Sequence, residues 1–299
     1  MRAVADLVTG RVTDGAYAAG WSLVRALPEP VAAALFTAGA DLAVRRGGPA
    51  VDRLRRNLAR AAPDADPDAL VREGMRSYAR YWREVFRLPV TSQERIDAGM
   101  ELVDPQGLLL DLAASGRGLV AALPHSGNWD HAGAWLVGQG VRFTTVAERL
   151  RPESLYDRFV AFREGLGMEV LPLTGGAPPF DVLADRLRAG GTLCLLADRD
   201  LSARGVPVDL LGARTRMPAG PAALALRTGA ALLPVTLSFR PDGWRAEVHD
   251  EVPPTDVPTM TQALADAFGR GIAAHPADWH MLQRLWLDDL APDDPRRTA

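Results

Sequence analysis

The first third of the chain shows the spacing of apolar residues that is typical of amphipathic helices. Apolar residues recur at helical intervals between Val12 and Val24, and prolines at positions 28 and 30 interrupt the pattern. Helical patterns then resume at about residues 31–46, 51–61 and 68–88. We therefore predict that residues 1–99 form an all-helical region.

From about residue 100, short apolar runs alternate with amphipathic stretches. The runs lie at residues 119–123, 141–147, 169–173 and 192–197. This alternation is typical of βαβ units and of a largely parallel sheet. We predict an α/β core over residues 100–287, with a mostly parallel central sheet flanked by helices and the helical region packed on it.

Three later segments complete the predicted core. Residues 207–212 resemble an edge strand, and residues 214–221 are expected to open a helix that ends near 228. Runs at 231–239 and 244–249 flank a Pro-Asp-Gly turn, which predicts an antiparallel pair. The acidic tail, residues 288–299, is expected to be frayed.

Candidate chemistry begins where the first apolar run ends. His125 follows this run, and Asp130 lies five residues further on, where the pattern turns helical. Because five residues span little more than one helical turn, Asp130 can fold back and hold one imidazole nitrogen. The other nitrogen would then take a proton from a substrate hydroxyl, which would act as the nucleophile. Ser126 and Asn128, in the same turn, are candidates for contacts with the substrate.

The same turn has other interpretations. His125 and Asp130 are also compatible with an ordinary helix start, where short polar side chains are favoured. A zinc site is disfavoured because His125 and His131 lack the spacing of a helical zinc pair, and the chain has one cysteine. Ser126 is disfavoured as a nucleophile because it lacks the Gly-x-Ser-x-Gly surroundings. We predict no metal ion and no resident cofactor.

Polar residues also follow the three later runs. In chain order they are Glu148, Thr174, and the group Asp198, Arg199 and Asp200. The carboxyl ends of parallel strands meet at one edge of a sheet. We therefore expect an imidazole, carboxylates and an arginine to share one active site at this edge.

A second cluster of polar residues precedes the helix predicted near residue 219. Arg214 and Arg216 stand just before Gly220, and prolines on both sides favour a helix start. Free backbone N–H groups at a helix start bind anions. These residues are therefore candidates for holding a phosphate group of a ligand.

Composition limits the partners and the compartment. The chain has 299 residues and a formal net charge of −3, and all 34 basic residues are arginine. Residues 1–99 carry 15 basic and 12 acidic side chains, a balance whose sign suits anionic lipid headgroups. The region is compatible either with a plain helical cap over the sheet or with a membrane-docking surface that uses Tyr17, Trp21 and Phe36 as anchors.

Other composition features argue against several classes of protein. No apolar run is long enough for a membrane span, and no recognised nucleic-acid motif is present, so we expect no nucleic-acid partner. The single Cys194 fits a reducing compartment. We expect a soluble or peripheral protein.

Several motifs together resemble the lysophospholipid-acyltransferase-like superfamily. They are the His125-x4-Asp130 motif, the Asp198-Arg-Asp200 motif, the stretch from Gly212 to Val235, and in the helical region Arg56-Asn57-Leu58 and Tyr81-Trp-Arg-Glu84. The resemblance covers most of the chain and is strongest to the branch that contains the bacterial lipid A acyltransferases. Within this branch, the His-Ser-Gly-Asn-Trp-Asp motif is similar to that of actinobacterial phosphatidylinositol mannoside acyltransferases.

This resemblance implies transfer of a long acyl chain, of the palmitoyl type, from acyl-CoA to a mannose hydroxyl of a phosphatidylinositol mannoside. It implies that His125 is the general base and that Asp130 orients it. Glu148 and Arg163 would extend the charge network. Asp198 would be a further acidic residue of the site, and Asp200 is the alternative for this role. The enzyme would act peripherally on the cytoplasmic face of the cell membrane.

The resemblance leaves the substrates open. Another glycolipid or a lysophospholipid could be the acceptor, and acyl-carrier protein could replace CoA as the donor. A thioesterase or esterase could use the same histidine to activate water, and a lipid-binding protein could keep the fold without turnover. Acyl chain length, oxyanion donors and oligomeric state are not predicted.

Overall fold

A computed structural model of the chain describes residues 21–148, 153–173, 179–200, 204–291 and 294. The N-terminal region is helical, as predicted, and contains α1 (Glu29–Arg46), α2 (Pro49–Ala61), α3 (Pro67–Arg87) and the short α4 (Gln93–Gly99). Proline stands at or next to the first helical position of α1, α2 and α3, where its missing N–H costs nothing. Tyr17, one of the predicted anchors, lies outside the described residues.

The core alternates strands and helices, which confirms the predicted α/β class. Its elements are β1 (Met100–Val103), α5 (Leu108–Ala114), β2 (Leu119–Leu123), α6 (Trp129–Gly138), β3 (Phe143–Ala147), α7 (Glu153–Gly165), β4 (Glu169–Pro172), α8 (Phe180–Arg188), β5 (Thr192–Leu196), β6 (Val206–Leu210), β7 (Ala213–Met217), α9 (Gly220–Thr228), β8 (Ala231–Arg240), β9 (Gly243–Val248) and α10 (Val257–Ala274).

Seven strands form the main sheet, in the order β1-β9-β8-β2-β5-β3-β4. All neighbouring strands pair in parallel except β8 and β9, which form the predicted antiparallel hairpin. β2 is the central strand, and all five of its residues are buried, as expected of a parallel strand covered on both faces. The end of β2 therefore lies in the middle of the sheet edge.

The two faces of the sheet are covered by separate apolar cores. Ala122 packs into a core with residues of α2, α8, α9 and α10, whereas Ala121 packs into a core with residues of α3, α6 and α7. This division follows from the two-residue period of a strand. The helical region thus contributes to both faces.

The strand predicted near residues 207–212 and the helix predicted over about 219–228 are confirmed as β6 and α9, and an additional strand lies between them. Residues 213–217, read as the approach to a helix, form β7, which pairs with β6 in a separate two-stranded sheet. Residues 207–212 therefore do not lie at the edge of the main sheet. The edges of the main sheet are instead β1, a segment of four half-buried residues that is too short to show a clear pattern, and β4. In the tail, Leu290 is buried and Asp289 pairs with Arg60, whereas residues 292–293 and 295–299 lie outside the described part.

Candidate active site

The site is built around His125, which follows β2 in a tight turn. Gly127 has a φ of +55°, and a Cβ atom there would lie 2.8 Å from the Leu237 carbonyl carbon. Glycine is therefore required by both the backbone conformation and the close approach of β8. Asn128 then caps α6, because its side-chain oxygen accepts a hydrogen bond from the His131 N–H.

Asp198 holds His125 in place. It follows β5, the neighbour of β2 in the sheet, and one carboxylate oxygen lies 2.5 Å from His125 Nδ1. The other oxygen accepts hydrogen bonds from the His125 backbone N–H and from the Trp279 indole, both at 2.9 Å. Because an ionised carboxylate only accepts hydrogen bonds, Nδ1 carries the proton and Nε2 is left as the basic nitrogen.

The charge of Asp198 is maintained despite complete burial. Burial alone would raise the pKa of this carboxyl group, but the charge of His125 and the hydrogen bonds from His125 and Trp279 outweigh it and lower the pKa. Asp198 thus stays ionised and stabilises an imidazolium that forms beside it.

The prediction that Asp130 orients His125 was wrong. Arg163 binds both Asp130 oxygens, with Nε at 2.6 Å and Nη2 at 3.2 Å, and the Tyr81 hydroxyl donates to Asp130 at 2.9 Å. The first turn of α6 directs Asp130 toward α3 and α7 instead of back toward the imidazole. The bidentate geometry makes Asp130 and Arg163 a buried ion pair that ties these helices together.

The environment of this ion pair keeps its members in fixed protonation states. Burial opposes the charge of Arg163, but the adjacent Asp130 carboxylate raises the arginine pKa. Burial and the negative charge of Asp130 raise the pKa of the Tyr81 phenol well above its usual value. Tyr81 therefore remains a neutral hydrogen-bond donor.

The other residues predicted at the strand ends occupy different positions. Glu148 is half exposed and accepts a hydrogen bond from Arg199 at 3.2 Å, so the ends of β3 and β5 are linked. Asp200 is buried and accepts a hydrogen bond from the Gly205 N–H at 2.8 Å. Of the two carboxylates, Asp198 is therefore the one that contacts His125. Thr174 lies outside the described residues.

The residues predicted to contact substrate are held by the protein itself. Ser126 is buried and accepts a long hydrogen bond from the Leu237 N–H, and the Asn128 amide donates to Glu84. Arg214 is exposed near Asp209, whereas Arg216 is buried and donates to the Gly205 carbonyl.

Gly220 begins α9. Contacts of these five residues with a substrate stay a prediction. Among the described residues, no group of three or more His, Cys, Asp or Glu side chains could hold a metal ion.

An apolar cavity lies next to the site, between the sheet and α6. It is lined by side chains of β2, β3, β5, β8 and α6, with Leu123, Leu196 and Trp129 nearest the strand ends. Trp129 also contacts His125, with ring centroids 5.6 Å apart. Trp135 and Leu136 also line this cavity. A separate groove against α1 is lined by the aromatic side chains of Tyr78, Trp82 and Phe86.

Trp279 is a site residue that sequence reasoning missed. The segment from Trp279 to Trp286 is rich in apolar residues, which is typical of core packing. A buried tryptophan usually donates a hydrogen bond through its indole N–H. The residue type itself therefore indicated that Trp279 has an acceptor. The identity of its partner could not be read from the sequence.

The match to a family model extends over nearly the whole chain. The family is described as bacterial lipid A biosynthesis acyltransferase, and its model matches residues 3–288. The chain belongs to this family and is therefore an acyltransferase.

Curated relatives narrow the likeness further. A phosphatidylinositol mannoside acyltransferase of Mycolicibacterium smegmatis (strain ATCC 700084 / mc(2)155) is 58% identical over 294 residues, which cover 96% of this chain and 95% of the relative. A protein of the same name from Mycobacterium tuberculosis (strain ATCC 25618 / H37Rv) is 55% identical over 291 residues, covering 95% and 92%. These relatives confirm the predicted resemblance.

Proposed function

We propose that this protein transfers a palmitoyl-type chain from acyl-CoA to a mannose hydroxyl of a phosphatidylinositol mannoside, with His125 as general base. The names of the relatives support the acceptor class. The observation that carries the chemistry is the contact between His125 and Asp198 beside an apolar cavity. A base held by a carboxylate activates a hydroxyl, and an apolar lining suits the methylene groups of an acyl chain.

The proposed reaction needs one base and no protein nucleophile. His125 Nε2 takes the proton from the acceptor hydroxyl as its oxygen attacks the thioester carbonyl carbon. The C–S bond then breaks, and the CoA thiolate leaves and takes the proton from the imidazolium. Asp198 holds the Nδ1 proton throughout and stabilises the positive charge on the ring.

Transfer is tested by incubating the purified protein with palmitoyl-CoA, with and without mannosylated phosphatidylinositol. Free thiol and acylated lipid are followed together, the latter by mass spectrometry. We expect thiol release to depend on the acceptor and to match the gain of one palmitoyl group on the mannolipid. Thiol release without acceptor, with free palmitate, would instead identify a hydrolase. Parallel assays with palmitoylated acyl-carrier protein and with a lysophospholipid test the donor and the acceptor.

The surface of the helical region supports the proposed membrane contact. Leu23, Val31, Leu35 and Leu42 expose apolar side chains on or near α1. Trp21, one of the predicted anchors, instead packs against Phe86 and donates its N–H to the Phe86 carbonyl. None of the helices in the described ranges has the length and apolar character needed to cross a bilayer. We propose that the exposed leucine and valine side chains bind peripherally to the cytoplasmic face of the membrane.

Narrowing the cavity is expected to change acyl-chain preference. Ala121 lines the cavity, so Ala121→Leu should exclude part of a palmitoyl chain. Each apolar methylene is worth about 0.8 kcal/mol, so exclusion of about two should reduce the preference for palmitoyl-CoA over lauroyl-CoA roughly tenfold. The measurement is the ratio of kcat/KM values for the two donors.

A matched variant on the other face of β2 provides the control. Ala122→Leu adds the same atoms to the opposite core, so overpacking destabilises both variants. The donor ratio should stay at the wild-type value in this control. An unchanged ratio in Ala121→Leu would show that the chain binds elsewhere.

A further inference from the structure

Trp279 gives Asp198 its third hydrogen bond. The indole is completely buried, and its N–H donates at 2.9 Å to the carboxylate oxygen that also accepts the His125 backbone N–H. The remaining oxygen is left for the imidazole. With donors fixed on both oxygens, the carboxylate has one orientation, and that orientation points an oxygen at Nδ1.

The backbone around Trp279 is attached to the turn that carries the histidine. The Gly127 N–H donates to the Asp278 carbonyl at 2.9 Å, and the His280 N–H donates to the His125 carbonyl at 2.8 Å. These bonds lie on either side of Trp279. The indole is therefore fixed relative to the turn that carries His125, the residue to which it is connected through Asp198.

Helix α3 secures the segment from the other side. The Ser77 hydroxyl donates to the Asp278 carboxylate at 2.7 Å and lies 2.9 Å from His280 Nε2. The other Asp278 oxygen accepts the Phe239 N–H from β8 at 2.8 Å. Residues 278–280 thus form a bridge between the helical region and the sheet, with Trp279 at its centre.

We propose that Trp279 is a positioning residue for acyl transfer, holding Asp198 in the orientation that keeps the proton on His125 Nδ1 and leaves Nε2 basic. This inference rests on the proposed function. Trp279 need not touch either substrate, because its effect passes through the carboxylate. Hydrogen bonds to charged groups are among the stronger ones, so its loss should be visible in turnover.

The test replaces Trp279 with phenylalanine, which removes the N–H donor and keeps an aromatic ring. Trp286→Phe is the matched control, because Trp286 is also fully buried and donates its N–H to Asn57 at 2.8 Å. The two rings are neighbours, with centroids 6.2 Å apart. Each variant therefore loses one buried indole donor in the same segment. Of the two tryptophans, only Trp279 donates to Asp198.

Three quantities are measured for wild type and both variants. We expect Trp279→Phe to lower kcat by about 10- to 100-fold, with the KM for palmitoyl-CoA within about twofold of wild type. The acidic limb of the kcat/KM profile should move to lower pH, because a carboxylate that is no longer held toward Nδ1 stabilises the imidazolium less. Proton NMR should show the downfield His125 Nδ1 proton shifted or lost. Trp286→Phe should leave all three close to wild type.

The outcomes separate this inference from the proposed function. Equal losses of kcat in the two variants, with unchanged pH profiles and NMR signals, would mean that Trp279 has a structural role and would overturn the inference. The NMR signal needs no substrate. If wild type transfers no acyl group, the proposed function fails, and the signal still decides whether Trp279 sets the state of the histidine.

Discussion

His125→Ala is expected to lower kcat/KM for acyl transfer by about 10²–10⁴-fold, the usual contribution of a positioned general base. The fold should survive, because Asp198 keeps its hydrogen bonds from the backbone of residue 125 and from Trp279. The measurement is acceptor-dependent thiol release, with the unfolding midpoint recorded on the same preparation. His249→Ala, which removes an imidazole bonded to Thr236, serves as the control and should retain activity.

Asp198→Asn is expected to reduce activity by a similar factor. The amide can present its NH₂ group to Nδ1, which would place the imidazole proton on Nε2 and remove the basic nitrogen from the substrate side. Asp200→Asn changes the neighbouring carboxylate in the same way, but Asp200 accepts a hydrogen bond from the Gly205 N–H, and Asp198 is the carboxylate that contacts the imidazole. We expect a much smaller loss there. If Asp200→Asn abolishes transfer and Asp198→Asn does not, the assignment of the orienting carboxylate is wrong.

The sequence predicted the strand that precedes His125, but placed the carboxylate that contacts this histidine incorrectly. The apolar run ending before His125 identified β2 because a fully buried strand leaves a continuous pattern. Asp130 was chosen because it is close in sequence. Asp198 is 73 residues away, and its contact with His125 depends on β5 pairing beside β2. Strand order arises from pairing between distant segments, which a local pattern does not record.

The same limit applies to Trp279 and to the partners of Asp130. The helical pattern over residues 68–88 predicted α3, yet spacing did not reveal that the Tyr81 hydroxyl donates to Asp130. Trp279 lies 81 residues from Asp198, and the two meet only in the folded chain. The residue types were informative in each case, whereas the pairings required the tertiary structure.

Acidification from about pH 7.5 to about pH 5 is expected to lower the free energy of unfolding by about 4 kcal/mol, through two buried histidines. Burial, with the positive charges of Arg80 and Arg95, lowers the pKa of His131 from 6.5 to about 3. Burial, with the charge of His125, lowers the pKa of His280 from 6.5 to about 3. Both side chains are neutral in the folded protein across this range and become protonated in the unfolded chain.

The sign follows from the protons bound by each state. Below the unfolded pKa of 6.5 the unfolded chain binds more protons than the folded protein, so stability is complete above that value and falls as the pH decreases. Each histidine contributes about 2 kcal/mol between the two conditions, at about 1.36 kcal/mol per pKa unit. Carboxylates with lowered pKa values, such as Glu169 at about 2, lose their contribution only at lower pH.

Urea unfolding monitored by tryptophan fluorescence at the two pH values measures this loss, and His131→Phe should reduce it by about half. The phenyl ring can keep the stack on Trp244, where the imidazole centroid lies 3.4 Å from the indole. His131 Nε2 has no hydrogen-bond partner among the described residues, so the substitution removes no bond from that atom. Any uniform cost of the larger ring cancels in the difference between the two conditions. A wild-type loss below about 1 kcal/mol, or an equal loss in His131→Phe, would show that His131 is protonated in the folded protein.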